Sequence, residues 1–169
     1  AITKFDYSKT YREDLYQPDH FKFASSKEPN TLSNYSDSIE ATEIDLSPAY
    51  PITKTSFTYN AEDGLYYRYM YGNPDVDAAN DNQQLAFKNV LVQFTYYEVR
   101  DQKGYLAFQD HDTTRDGYYF TNGKAIHVNW KKTADYEPTK YYDDNGNEIS
   151  LNTGKTMICI VEDGDSISI

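Results

Sequence analysis

From residue 39 onward the chain alternates apolar and polar positions in short runs divided by polar turns. In "KAIHVNWK", residues 124–131, Ile126, Val128 and Trp130 share one face, while Ala125, His127, Asn129 and Lys131 share the other. Side chains of a strand point alternately to its two faces, so this period predicts a β-strand with the first set on the core and the second toward water. On that register Trp130 is a core or core-rim residue and His127 is a solvated strand residue. "NVLVQFTYYEV" and "TMICIV" are apolar on both faces, which predicts central strands, and Cys159 in the second reads as a small buried hydrophobe.

The breaks between the runs carry turn chemistry. Asp63-Gly64 divides "KTSFTY" from "LYYRYMY", and Asn122-Gly123 divides "YYF" from "AIHVNW". Asn145-Gly146 divides "TKYYD" from "EISL", and Asp163-Gly164 divides "MICIV" from "SISI". Such pairs supply the positive φ angles that tight hairpins need. "RDQKG" adds a longer loop of the same kind. Helix signals are thin: one or two turns in "YREDLYQPDH" before Pro18, and a short helix in "DAANDNQQLAFK". The expected class is all-β, mainly antiparallel hairpins in a sandwich or barrel-like arrangement, with one or two short helices.

Residues 24–38, "ASSKEPNTLSNYSDS", are polar and rich in turn formers and read as a linker. The chain therefore divides into a lead-in, 1–38, expected to be the tail of a preceding unit plus linker, and a single β domain, 39–169.

Composition narrows the partners. The net charge of −11 argues against nucleic acid, which needs a clustered positive surface, and against adsorption to anionic lipid. No run has the apolar length of a membrane span. A single cysteine excludes an internal disulfide. Eighteen tyrosines against eight phenylalanines fit strands with one wet face, and also surfaces that hold sugars or peptides.

Catalytic constellations are absent from the motifs. His111 stands between Asp110 and Asp112, but neighbours along a strand face opposite ways and orient no ring. The "LNTGKT" run, residues 151–156, lacks the upstream glycine and the helix of a phosphate loop. For metal, Asp75, Asp77 and Asp81 are oxygen ligands that calcium would accept, a weak candidate without the spacing of a known loop. "YYDDNGNE" starts like a calcium loop, but its glycine comes early and Gly154 stands where the final glutamate belongs, so a type I′ turn is expected instead. No cofactor is expected.

Several of these pieces together resemble one family. The Tyr66-x-Arg68 step followed by Gly72 and Asp77, the Asn122-Gly123-Lys124 turn before Trp130 and Lys132, and the run from Asp143 to Thr156 resemble the C-terminal domain of the YerB-like lipoprotein family, domain of unknown function 3048. The resemblance spans roughly residues 40–162. Met157 stands where that family usually has tryptophan.

The resemblance implies an extracytoplasmic protein of Gram-positive bacteria, whose full length carries a signal peptide, a lipidated cysteine and a larger N-terminal domain. Membrane attachment would then be only through that lipid anchor. The expected function is a noncatalytic binding or scaffolding domain that engages a cell-wall polymer or an envelope protein. The alternative is an accessory domain of a cell-wall enzyme with its catalytic residues in the N-terminal half. A ligand surface would draw on Tyr66, Arg68, His127 and Trp130.

Overall fold

Asn122 and Gly123 both have positive φ, 52° and 72°, and between them turn the strand Asp112–Thr121 back into the strand Lys124–Lys132. A side chain at Gly123 would meet the Tyr59 ring at 2.8 Å, so glycine serves both the turn and the packing. This hairpin centres the larger sheet of the computed structural model, which describes residues 20–134 and 137–169. In chain order the strands are β1 (Ile39–Glu40), β2 (Glu43–Asp45), β3 (Thr55–Asn60), β4 (Leu65–Met70) and β5 (Asn73–Pro74). There follow β6 (Val76–Asp77), β7 (Gln83–Gln84), β8 (Ala86–Phe87), β9 (Asn89–Thr95) and β10 (Tyr97–Val99). The last are β11 (Leu106–Phe108), β12 (Asp112–Thr121), β13 (Lys124–Lys132), β14 (Lys140–Tyr142) and β15 (Thr156–Glu162).

The larger sheet runs β1-β13-β12-β9-β15, with β14 also on β13. The smaller runs β2-β3-β4-β5, with β8 on β4. Two ribbons, β6-β7 and β10-β11, stand apart from both. The protein is all-β, and no helix occurs among the described residues.

Both faces of the larger sheet are covered, which explains the doubly apolar β9. On one face Val90, Val92, Phe120, Ala125, Cys159 and Val161 pack against Ile44, Phe57 and Tyr66 of the smaller sheet. On the other, Leu91, Tyr119, Ile126, Val128, Trp130 and Tyr141 pack beneath Leu32, Ile149 and Leu151. Ala125 is therefore core, not solvent-facing as alternation alone implied, because the smaller sheet reaches that end of β13. Trp130 is fully buried and donates from Nε1 to the Phe94 carbonyl at 2.9 Å.

Three local expectations change. The expected helix over 77–88 is instead the β6-β7 turn followed by β8. Asp81 and Asn82 both adopt positive φ, 52° and 54°, which ends any helical course. The other helical stretch, 11–20, lies almost entirely outside the described residues. Strand β15 is an edge rather than central: it pairs with β9 alone, in parallel, leaving Ile158 and Ile160 exposed. Asp163-Gly164 makes no hairpin; the chain crosses to the smaller sheet, where Ser168 bridges Asp45.

From residue 20 the lead-in lies against the domain. Leu151 exchanges backbone hydrogen bonds with the 22–24 segment, its N–H to the Lys22 carbonyl at 2.9 Å and its carbonyl from Ala24 N–H at 2.8 Å. Leu32 is fully buried over the second cluster.

Candidate functional site

Tyr66 lies on the inward face of β4. Its hydroxyl donates to the Ala41 carbonyl at 3.0 Å, and burial pushes the phenol well above its usual value. Arg68, two residues on along the same face, gives its Nη1 to Asp75 Oδ2 at 2.5 Å. Its Nε is buried without a hydrogen-bond partner. Tyr66 is thus fully buried in the core between the sheets, and the Arg68 guanidinium is engaged by Asp75.

His127 is better placed for chemistry than its sequence neighbours imply. Its ring stands edge-on to Tyr118, its cross-strand partner, with centroids 5.7 Å apart. Asp144 Oδ1 lies 2.6 Å from Nδ1, and Asp116 Oδ1 lies 3.5 Å from Nε2. Two carboxylates from separate elements thus orient one imidazole. A nucleophile is missing from the arrangement, since among the described residues no hydroxyl hydrogen-bonds to His127. An oriented histidine alone is not an acid–base site; it needs a reacting group within reach. Trp130, three residues away and buried on the opposite face, is not brought to it.

The acidic run is spent on structure. Asp75 is held by Arg68, and Asp77 Oδ1 accepts the Ala79 N–H at 3.0 Å. Asp81 sits in the β6-β7 turn. Among the described residues no three His, Cys, Asp or Glu side chains converge to hold a metal.

The calcium-like stretch is a side-chain-capped turn. Asp143 Oδ1 accepts the backbone N–H groups of Asn145 and Asn147 at 2.9 and 2.8 Å. Desolvation pushes the Asp143 carboxyl up, but these bonds and the Asn147 side-chain amide outweigh it and hold it below the usual carboxylate value. Only Gly146, φ 81°, takes a positive φ here, so the turn is not the expected type I′, which needs two such residues.

Cys159 is buried between the sheets, and desolvation pushes its thiol up to about 12, leaving no reactive thiolate.

A concavity of about 840 Å³ runs between the lead-in and the 143–150 turn, past Glu28, Asn34, Asp37, Asn145 and Asn147. Its lining is polar and shows no paired acid and base.

One feature escaped the sequence reading. Strands β10 and β11 form a ribbon that leaves the larger sheet beyond Thr95, with Tyr97 opposite Phe108 and Val99 opposite Leu106. Cross-strand partners share a face, so Val99, Leu106 and Phe108 line one side of this arm together with Tyr97, whose hydroxyl reaches Glu162 of β15. The signal was present as "YEV" and "LAF" around "RDQKG", but apolar strand residues read by default as core.

These features define an all-β, two-sheet domain with an apolar arm and no assembled catalytic group among the described residues. The family model for the C-terminal domain of the proteins of unknown function DUF3048 matches residues 45–158, and the chain belongs to that family. Among solved structures it is similar to the YerB protein from Bacillus subtilis, with a TM-score of 0.69 and 22% identity. That match covers 99% of this chain and 53% of the other, so this chain spans about half the length of its solved neighbour. At that identity the likeness is one of fold. No curated protein matches.

Proposed function

We propose that this domain is a noncatalytic binding or scaffolding module of a Gram-positive cell-surface lipoprotein, and that its main contact is with another envelope protein. The β10-β11 arm carries the reading. Val99, Leu106 and Phe108 are 61%, 45% and 43% exposed on a ribbon paired with neither sheet. Isolated two-stranded ribbons are marginal in water, and clustered exposed apolar side chains mark interaction surfaces. In this reading a lipid anchor on the preceding part of the full-length protein makes the membrane attachment.

Pull-down of envelope proteins with the complete lipoprotein tests this, comparing wild type with a Leu106→Asp/Phe108→Asp variant. The expected result is a partner captured by wild type and lost from the variant, with thermal unfolding unchanged. Equal capture by both would remove the arm as the contact. A second reading, an accessory domain of a cell-wall enzyme, is favoured by the neighbour's chain being nearly twice as long. Hydrolysis of purified cell wall by the complete lipoprotein would select it.

A further inference from the structure

A cavity of about 430 Å³ opens on the outer side of the smaller sheet, lined by Tyr67, Gln84, Ala86, Lys88, Thr153 and Lys155. That volume falls within the range of small-ligand sites, about 300–1,000 Å³. Tyr67 has only small cross-strand neighbours, Thr58 on one side and Ala86 on the other. Its hydroxyl is tied to Asp63 Oδ2 at 2.5 Å, which fixes the ring and occupies that carboxylate. Gln84 gives its side-chain N–H to the Arg68 carbonyl at 2.8 Å, leaving its amide oxygen as an acceptor.

Two ammonium groups complete the wall. Lys88 is partly buried and donates to Asn122 Oδ1 at 2.6 Å and to the Gly64 carbonyl at 3.3 Å. A lysine has three such donors, so one remains. Burial pushes the Lys88 ammonium down, and the attraction of Asp63 only partly opposes this. Lys155 is exposed. Among the described residues no carboxylate lies within ion-pair distance of either lysine.

Backbone geometry holds the pair together, since Lys88 N–H donates to the Lys155 carbonyl at 2.8 Å. Gly154 allows this approach: its φ is 140°, and a side chain there would come within 2.7 Å of the Lys88 Cβ. The Gly-Lys-Thr step, residues 154–156, thus builds a cavity wall instead of a phosphate loop.

We propose that this cavity binds a saccharide carrying an anionic group, with the Tyr67 ring under the sugar, Gln84 on a hydroxyl, and Lys88 and Lys155 on the anion. In a chain of net charge −11, a concave spot with two cations, neither of them ion-paired and only Asp63 acting on Lys88, favours an anion. A flat aromatic face with an amide beside it favours a sugar over a bare ion. The proposal rests on the binding reading but not on the arm, so arm variants and cavity variants fail independently.

The test is an amide chemical-shift titration of the 169-residue chain with glucuronic acid, glucose and inorganic phosphate. Glucuronic acid should shift the amide signals of Gln84, Gly154 and Lys155, with affinity about tenfold weaker in Lys155→Gln and in Tyr67→Ala. Glucose should bind more weakly than glucuronic acid. No shifts with glucuronic acid would overturn the proposal. Equal shifts with phosphate that survive Tyr67→Ala would also overturn it, leaving a simple anion site. Lys155 is exposed and its side chain makes no hydrogen bond among the described residues, so its variant reads binding without a folding defect.

Discussion

Asn30 and Asn152 hold each other across the molecule: the Asn30 N–H donates to Asn152 Oδ1 at 2.7 Å, and Asn152 Nδ2 returns a bond to the Asn30 carbonyl at 2.8 Å. The same Nδ2 reaches Thr121 Oγ1 at 2.9 Å, and the Asn152 N–H donates to the Tyr119 hydroxyl at 2.9 Å. Tyr119 in turn donates to Asn89 Oδ1 at 2.9 Å, and Asn89 Nδ2 to the Asn152 carbonyl at 2.8 Å. Lead-in, β9, β12 and the loop before β15 meet in one buried, satisfied network.

Removing Asn152 strands several of these partners. Asn152→Ala should destabilise by about 2–4 kcal/mol, because buried groups left without partners cost more than a hydrogen bond returns. Urea unfolding should show a lower midpoint at an unchanged slope. A midpoint within error of wild type would mean that water replaces the amide without loss.

Deleting residues 1–30 removes the Asn30 end of that network and the Lys22 and Ala24 bonds to Leu151. The truncated chain should lose at least about 2 kcal/mol, lowering the melting temperature by about 5–10 °C. An unchanged melt would show that the lead-in adds nothing to the domain it lies on.

Trp130 and His127 should part company. Trp130→Ala empties a fully buried site and strands the Phe94 carbonyl, and should cost about 3–5 kcal/mol. His127→Ala loses only a part-exposed ring and its surface contacts to Asp144 and Asp116, and should cost no more than about 1 kcal/mol. Chemical denaturation of the two variants side by side decides it; similar losses would mean that the His127 carboxylate contacts are structural.

Asp143 predicts an acid-side loss. Its folded-state carboxyl lies below the unfolded value, so its contribution is present above about pH 4 and disappears as pH falls through the lower folded value. Stability measured from pH 6 downward should therefore fall less steeply over that window in Asp143→Asn than in wild type. Parallel curves would assign the acid loss to other carboxylates.

Strand identity and turn chemistry were legible because both are local. The alternation Ile126, Val128, Trp130 follows from the two-residue repeat of a strand, and Asn122-Gly123 follows from the φ angles of two residues. Alternation was misleading at Ala125, where burial depends on a sheet formed by other parts of the chain. Apolar residues on both faces misplaced β15 as central, because an apolar strand looks the same at an edge as at a centre. The 77–88 stretch has helix-forming residues, yet pairs as strands that its own composition does not encode.

Function-bearing contacts divide the same way. The sequence by itself determined an acidic, all-β chain with no catalytic motif and the pieces of its family, since charge, period and motif order are properties of the string. Only the tertiary structure brought Asp116 and Asp144 to His127, Asn30 to Asn152, and Lys88 to Lys155. Each joins residues from different elements, and strand register and loop packing, set by burial summed over the whole core, decide which side chains meet.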